Sequence, residues 1–410
     1  MNHFHYSSHI RSLHKPRFGY FKGRISTGFK ALFVGDIFVS IGIVLFDVFF
    51  PIFIYVLLGN NIQAVAGYFL ATYILHIILI FALTGELNKF GFRRALRLSS
   101  LVGALFFLSV FLLKGDNLWL MLPISVFCIS LFRVLHWIPY NIDFAKFSNK
   151  KDRGKEISGT NAALSLVGIF TPIFAGYVVF NFGFNVLFLF GTLVYLLTYL
   201  PYLFLPRTNE KFSWSKKKMF KKILSSENRK AALIFFADGA ETALSVFVWP
   251  IFIYVLLDGN LFDVGLISAL VVGAMIFLQL IAGKYIDDES CNRDLMMKRG
   301  GFLYAAGWLL KIFAATALHI FIFDALHRFS RIFYRTPFET YVTEKSCEQK
   351  HLMDEYFVFR EIALISGRVF MSILVIAMAF FVSVQWIFVL GALAALFLTY
   401  VHNQLKCSLR

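Results

Sequence analysis

From Ala31 to Leu58 the chain reads "ALFVGDIFVSIGIVLFDVFFPIFIYVLL", 28 positions with only two charged residues. A helix needs about 20 such residues to cross the hydrocarbon of a bilayer, whereas closed barrels use alternating strands of about ten. Segments this long and this apolar are therefore read as membrane-spanning helices. Twelve windows of this kind are read, at about 31–58, 62–86, 95–114, 118–144, 157–181, 184–206, 231–257, 262–286, 299–317, 318–343, 357–382 and 384–403, with bounds good to about four residues. Composition agrees: 59% of residues are hydrophobic and 16% charged, against nearer half and about a quarter in soluble domains.

The net charge of +16 could suggest a nucleic-acid partner. Its distribution argues otherwise. With the N-terminus placed in the cytoplasm, and bases within about four residues of a window's end counted with the adjoining loop, 33 of the 40 Lys and Arg fall in inner segments. One, Lys114, falls in an outer loop, and six lie within windows. This is the positive-inside asymmetry, so both termini are expected to be cytoplasmic and no nucleic-acid partner is expected. Cys128 lies in the fourth window; Cys291, Cys347 and Cys407 fall in predicted cytoplasmic segments, where thiols stay reduced. The histidines of the first 30 residues have no regular ligand spacing, so no metal site is expected. That tail also lacks the pattern of a cleaved signal peptide.

The phrase "PIFIYVLLGN" at Pro51 returns as "PIFIYVLLDGN" at Pro250, an offset of 199. At nearly the same offset "FRVLHWIPY" aligns with "SRIFYRTPF", and "LFLFGTL" with "IFVLGAL". Six windows thus match six windows in the same order, as expected of parallel repeats related by an axis along the membrane normal. The predicted organisation is a basic tail (1–30), a first six-helix half (31–206), a polar linker (207–230), a second half (231–403) and a short tail (404–410). Pro51 and Pro250 should bend the first and seventh helices alike, because proline removes a backbone donor and crowds the preceding turn.

After the second window the chain reads "TGELNKFGFRR", and the equivalent place in the second half begins at Gly283. The pair resembles the loop signature of the major facilitator superfamily, Gly-x-x-x-Asp-Arg/Lys-x-Gly-Arg/Lys-Arg/Lys. Lys89, Gly91 and Arg93 match in the first copy, with Asn88 in place of Asp and Gly85 displaced by one position. Gly283 and Asp287 match in the second, with Asp288 and Ser290 departing from the pattern. The resemblance covers essentially everything after residue 30. It implies an all-helical membrane fold of two six-helix bundles, no cofactor, and a cytoplasmic gate at Gly85, Asn88, Lys89, Gly91, Arg93, Gly283 and Asp287. Gly85 is expected to let two helix ends approach. "GIFTPIFAG" at Gly168 loosely resembles an antiporter motif of that family, but is read first as a site where small residues let helices pack closely.

Charges inside the windows mark where chemistry could reside. Each costs about 2.5–3.5 kcal/mol at the bilayer centre on insertion scales, so it should face protein or a wet cavity. The first window carries Asp36 and Asp47, the seventh Asp238 and Glu241, the fourth Arg133, His136, Tyr140 and Asp143, and the tenth Asp324, Arg328, Arg331 and Arg335. Acidic first and seventh windows therefore oppose basic fourth and tenth windows, which in the resembled family line a central cavity. The expected pairs are Asp47–Arg133 and Asp238/Glu241–Arg331/Arg335. Asp36 and Asp143 are expected in the cytoplasmic vestibule. Glu361 and Arg368, seven residues apart, share a face of the eleventh window. Lys311, in a window peripheral in that family, is expected to snorkel or to find an internal partner.

The reading that follows is a secondary transporter in the plasma membrane, working by alternating access and driven by protons. Its substrate would be a polar or charged small molecule, its other contacts lipid, and its form a monomer. A sensor or scaffold built on the same fold is the alternative. A membrane enzyme is less favoured, since no HExxH, GxSxG or recurring Asp-rich motif occurs, and the lack of a P-loop pattern disfavours ATP-driven transport. The charge asymmetry generates a direct test: a reporter fused after Leu405 should be cytoplasmic and one inserted near Asn60 external, and the reverse pattern would overturn the topology.

Overall fold

Hydrocarbon offers no hydrogen-bond partners, so each spanning segment must satisfy its backbone internally, and helices do so. The computed structural model describes residues 26–147, 153–207, 229–286, 293–348 and 353–407, and among them there is no strand. The helices are α1 (Thr27–Leu57), α2 (Ile62–Phe90), α3 (Phe92–Phe111), α4 (Leu118–Phe147), α5 (Arg153–Leu203), α6 (Arg229–Leu256), α7 (Leu261–Ile286), α8 (Arg293–Ile312), α9 (Ala317–Glu348), α10 (Met353–Met378) and α11 (Phe388–Cys407). Helix α5 is broken at Gly183, whose φ of 80° is open to glycine and costly for other residues. Its outer face exposes Phe170, Phe174, Tyr177 and Phe180, a stripe that suits lipid tails and not water.

Nine helical stretches among the described residues are long and apolar enough to cross a membrane. The fifth and sixth predicted windows fall on the two arms of α5 and count as one stretch. The ninth and tenth fall on α8 and α9, where Lys298, Arg299 and Lys311, and Asp324, Arg328 and Arg331, interrupt the apolar sequence. Twelve spans stay an expectation of the sequence.

The repeated phrase has a structural counterpart. A π-helical turn at Leu45–Phe49 precedes Pro51, and another at Leu244–Val248 precedes Pro250, again 199 residues apart. Phe50 N–H bonds to the Leu45 carbonyl and Trp249 N–H to that of Leu244, five residues back. Proline's ring crowds the carbonyl four residues before it, and the wider turn relieves that crowding locally. Both helices then end in matched turns: Leu58 and Leu257 have φ/ψ of −92°/25° and −94°/23°. Gly59 and Asn60, like Asp258 and Gly259, follow with positive φ.

The two repeats meet where side chains are smallest. A Cβ on Gly265 of α7 would meet the Pro172 carbonyl and the Gly176 Cα of α5, and one on Gly176 would meet the Leu261 carbonyl at 2.9 Å. The "GIFTPIFAG" segment is therefore a close helix crossing between repeats. Near the ends that carry the matched turns, Gln63 Nε2 donates to the Ala379 carbonyl at 2.8 Å, and Phe69 stacks on Phe247 with ring centres 4.9 Å apart. Within the second repeat, Gly239 lies against the Leu364 carbonyl and Gly367 against that of Phe236, pulling α6 and α10 together.

The α5–α7 crossing is testable by overpacking. Gly265→Val places carbon against backbone that cannot rotate away and should destabilise by about 1–3 kcal/mol, read as a lower thermal midpoint in detergent. Gly273→Ala on the same helix meets no described residue within 4 Å and should leave the midpoint unchanged or raise it.

Candidate functional site: two adjoining cavities between the repeats

The π turn of α1 carries Asp47, half-buried, with residues of both repeats around it. It borders two cavities of about 320 and 400 Å³. Asp47, Val246, Leu364 and Arg368 line both and so form the partition between them. Asp47 and Val246 are equivalent positions of the repeat, each four residues before its proline. The site thus sits where the two proline-relieved turns face one another.

The first cavity is floored by aromatic side chains, among them Phe46, Phe106, Phe132, Trp137 and Tyr195. Its charges are Asp47, Arg133, Arg360, Glu361 and Arg368. Helix α4 contributes Arg133, Trp137 and Asn141, which follow one another at four-residue steps and share a face. His136, expected in the cavity, is instead fully buried and lines neither cavity. Its ring stacks between Phe132 and Tyr140 at centroid distances of 5.2 and 5.4 Å. Tyr140 donates to Asp36 at 2.7 Å, so Asp36 ties α1 to α4 inside the first repeat and does not stand in an open vestibule. Asp143 is buried too. The expected Asp47–Arg133 ion pair does not form within 4 Å. Arg133 lies over the Phe46 and Tyr73 rings instead, at 5.4 and 5.7 Å.

The second cavity carries Asp47, Asp238, Asp324, His327, Arg328, Arg331 and Arg368. Here α6 and α9 meet through an ion pair. Arg331 Nη2 donates to Asp238 Oδ1 at 3.3 Å and lies 3.9 Å from Glu241 Oε2. Glu241 is fully buried: its Oε1 accepts from Trp308 Nε1 at 3.1 Å and Ser245 Oγ at 3.3 Å, with His327 Nε2 3.7 Å away. The side chain of Arg335 lies outside the described residues.

Lys311 of α8 does not snorkel. Its amine is buried and donates to Asp324 Oδ1 at 2.8 Å, while Arg328 Nε reaches Asp324 Oδ2 at 2.9 Å. The amine also lies 4.0 Å from the Trp249 ring centre and 4.5 Å from that of Trp308. His327 Nδ1 is 3.3 Å from it, and the His327 ring stacks on Tyr304 at 4.6 Å. The sequence signal for this cluster was a lysine inside an apolar window; its partner Asp324 was legible only as one of several charges on α9. Arg360, another cavity residue, lies near the start of the eleventh window, where the sequence gives no reason to single it out.

The expected gate is distributed differently from the expectation. A Cβ on Gly85 would meet no described residue within 4 Å, so Gly85 makes no close approach to any of them. Lys89 pairs with Glu86 of its own helix at 3.1 Å, both exposed. Gly91 separates α2 from α3 at φ 82°, ψ 139°. Arg93 reaches the Leu205 carbonyl at 3.5 Å, and Arg97 binds the carbonyls of Tyr202 and Leu203, so these bases cap the end of α5 in the same repeat. The side chain of Asn88, the surroundings of Gly283, and Asp287 lie outside the described residues. Among the described residues no cluster of three His, Cys, Asp or Glu could hold a metal.

The sequence profile of the Major Facilitator Superfamily matches residues 32–346. No curated protein matches the chain significantly. Solved structures do: a POT family transporter crystallised with 5-aminolevulinic acid (10% identity, TM-score 0.68, 92% of this chain and 95% of that one). A bacterial homologue of the iron transporter ferroportin, in its inward-facing state, matches at 12% identity and TM-score 0.65, covering 92% and 98%. A point mutant of the peptide transporter POT matches at 11% and 0.64, covering 91% and 93%. At these identities the likeness is one of fold.

The buried Lys311–Asp324 pair predicts an asymmetry. Asp324 has two cations, whereas Lys311 has no other carboxylate within 4 Å among the described residues. Asp324→Asn strands a buried ammonium and should cost about 3–5 kcal/mol, with a lower thermal midpoint in detergent. Lys311→Met leaves Asp324 paired with Arg328 and should cost clearly less.

Proposed function

The chain belongs to the Major Facilitator Superfamily, and on that premise we propose that it is a secondary transporter whose two repeats alternate access to the cavities around Asp47. The observation that supports this most is placement of charge. Ionised groups of α1, α6, α9 and α10 gather around space bordered by both repeats. A rocking motion of one repeat against the other would expose that space to each side in turn. The α5–α7 glycine crossing and the Phe69–Phe247 stack are surfaces on which such a motion would pivot. The two termini are taken as cytoplasmic and the protein as a plasma-membrane monomer, from the distribution of basic residues and the small loops.

Proton coupling is assigned to Asp238, Glu241 and Arg331. When both carboxylates are ionised they hold Arg331 between them at 3.3 and 3.9 Å. Protonating one removes part of that attraction and frees the guanidinium for a substrate group; ionisation restores the pair and expels it. Ser245, Trp308 and His327 keep Glu241 oriented throughout. Asp47, without a direct ion pair, and Arg328, 46% exposed at its side chain, stand at the wet edge of the same space.

The test uses purified protein in liposomes with an imposed pH gradient, screened against organic anions, sugars, peptides and cationic drugs, with an internal pH dye. Solute entry accompanied by proton movement is expected. Glu241→Gln should abolish gradient-driven accumulation while sparing exchange at equal pH, because exchange need not cycle the proton. Arg331→Ala should impair both. Gradient-driven transport that survives Glu241→Gln makes the carboxylate structural and ends the coupling assignment.

A further inference from the structure

In the second cavity Asp238, Asp324, Arg328 and Arg331 are held in direct ion pairs, whereas two arginines of the first cavity are not. Arg133 comes from α4 of the first repeat and Arg368 from α10 of the second, and both line the cavity. Neither forms an ion pair within 4 Å among the described residues. Arg133 Nη1 and Arg368 Nε are buried donors with no hydrogen-bond partner among the described residues. Both guanidinium groups lie against one ring, that of the buried Tyr73, at 5.7 and 5.6 Å from its centre. Two like charges held over one aromatic ring, from opposite repeats, repel each other, and the ring's quadrupole offsets only part of that. Buried donors left unsatisfied are rare in folded proteins and call for a reason.

The rest of the lining defines what would satisfy them. Three arginines, Arg133, Arg360 and Arg368, face two carboxylates, Asp47 and Glu361, so the cavity carries one net positive charge. Its remaining walls are chiefly aromatic and aliphatic, including Phe46, Phe106, Trp137 and Tyr195. A monoanion neutralises that excess, whereas a dianion would reverse it. An aromatic floor within about 320 Å³ suits an apolar, ring-sized body, since such pockets orient ligands by a few polar groups and hold them by apolar contact.

We infer that the first cavity is the substrate site for an organic monocarboxylate with an apolar ring-sized body, its carboxylate held between Arg133 and Arg368 and its ring against the aromatic floor. This deepens the transporter reading by naming a substrate class, and it rests on that reading for its meaning, though binding can be measured without transport. The carboxylate would accept charge-assisted hydrogen bonds from both guanidinium groups where they line the cavity. It would thereby link the two repeats at the place where they face one another. Tyr73 positions both arginines through their contact with its ring. In this arrangement the first cavity selects the anion, and the Asp238–Glu241–Arg331 cluster of the second lies across the shared wall of Asp47, Val246, Leu364 and Arg368.

The probes are 2-naphthoate and its neutral analogue 2-naphthamide, titrated calorimetrically into the purified full-length protein. Naphthoate should bind at least tenfold more tightly than naphthamide. Arg133→Gln and Arg368→Gln should each remove that preference, with Lys114→Gln, at an exposed position outside both cavities, keeping it. Equal affinities in the unmodified protein, no binding of naphthoate, or a preference that survives both arginine variants would overturn the assignment. Should either variant fail to fold, phenylglyoxal labelling of the unmodified protein decides. Naphthoate, and not naphthamide, should slow modification of Arg133 and Arg368, as read by mass spectrometry; no protection refutes the site. Transport in liposomes separates the two readings. Binding without transport of any solute in the screen removes the transporter reading and leaves the site. Transport of naphthoate that is indifferent to both arginines removes the site and leaves the transporter.

Discussion

An ionised side chain in hydrocarbon has no water to solvate it, and the arrangement of the second repeat follows from that. Lys311, Asp324 and Arg328 form a chain of direct contacts at 2.8 and 2.9 Å, with the lysine amine also lodged between two tryptophan rings. Trp308 then continues the chain by donating to Glu241. Through Glu241 and Asp238 the network reaches Arg331 at the cavity edge. Helices α6, α8 and α9 are thereby held in one rotational setting, because turning any of them would strand a charge. Such a network is poor evidence for net stability, since its desolvation cost is large, but it fixes geometry where a purely apolar interface could slide.

Backbone chemistry supplies the second constraint. Pro51 and Pro250 deny their helices a donor at equivalent depths, and in both the preceding turn widens to a π turn. The widened turns place Asp47 and Val246 on the wall shared by the two cavities. A helix interrupted in this way is tolerated in a membrane only where neighbouring protein or a wet cavity receives the disturbed backbone groups. The cavities and the paired irregularities are thus parts of one feature. Around it, the glycine contact of α5 with α7 lets the repeats approach to backbone distance, which larger side chains would prevent.

Several features were legible along the chain. The helical membrane class followed from window length, the repeat from the recurrence of "PIFIYVLL", and the acidic–basic division from charges that lipid would not accept. The α6–α9 contact was readable because the seventh window is acidic and the tenth basic, and the resembled family lines one cavity with both. The rotational setting of α4 was not. Four residues at spacings of three and four fit one broad helical face, and the structure divides them: Arg133 faces the cavity with Trp137 and Asn141, while His136 and Tyr140 turn into the aromatic packing of the first repeat. Spacing alone leaves that rotation open by about one residue, or 100°.

What the sequence determined by itself was therefore set by solvent: which segments are apolar for membrane length, which charges need shelter, and where proline and glycine disturb a helix. What only the tertiary structure decided was partnership. Asp47 and Arg133 share a cavity without pairing, Lys311 finds Asp324 thirteen residues away on the next helix, and Arg133 and Arg368 meet on Tyr73 from opposite repeats. The cost of an unsheltered charge is a property of the residue and its solvent, so it can be read one position at a time. The identity of its shelter depends on the packing of several helices at once, which no single stretch of the chain contains.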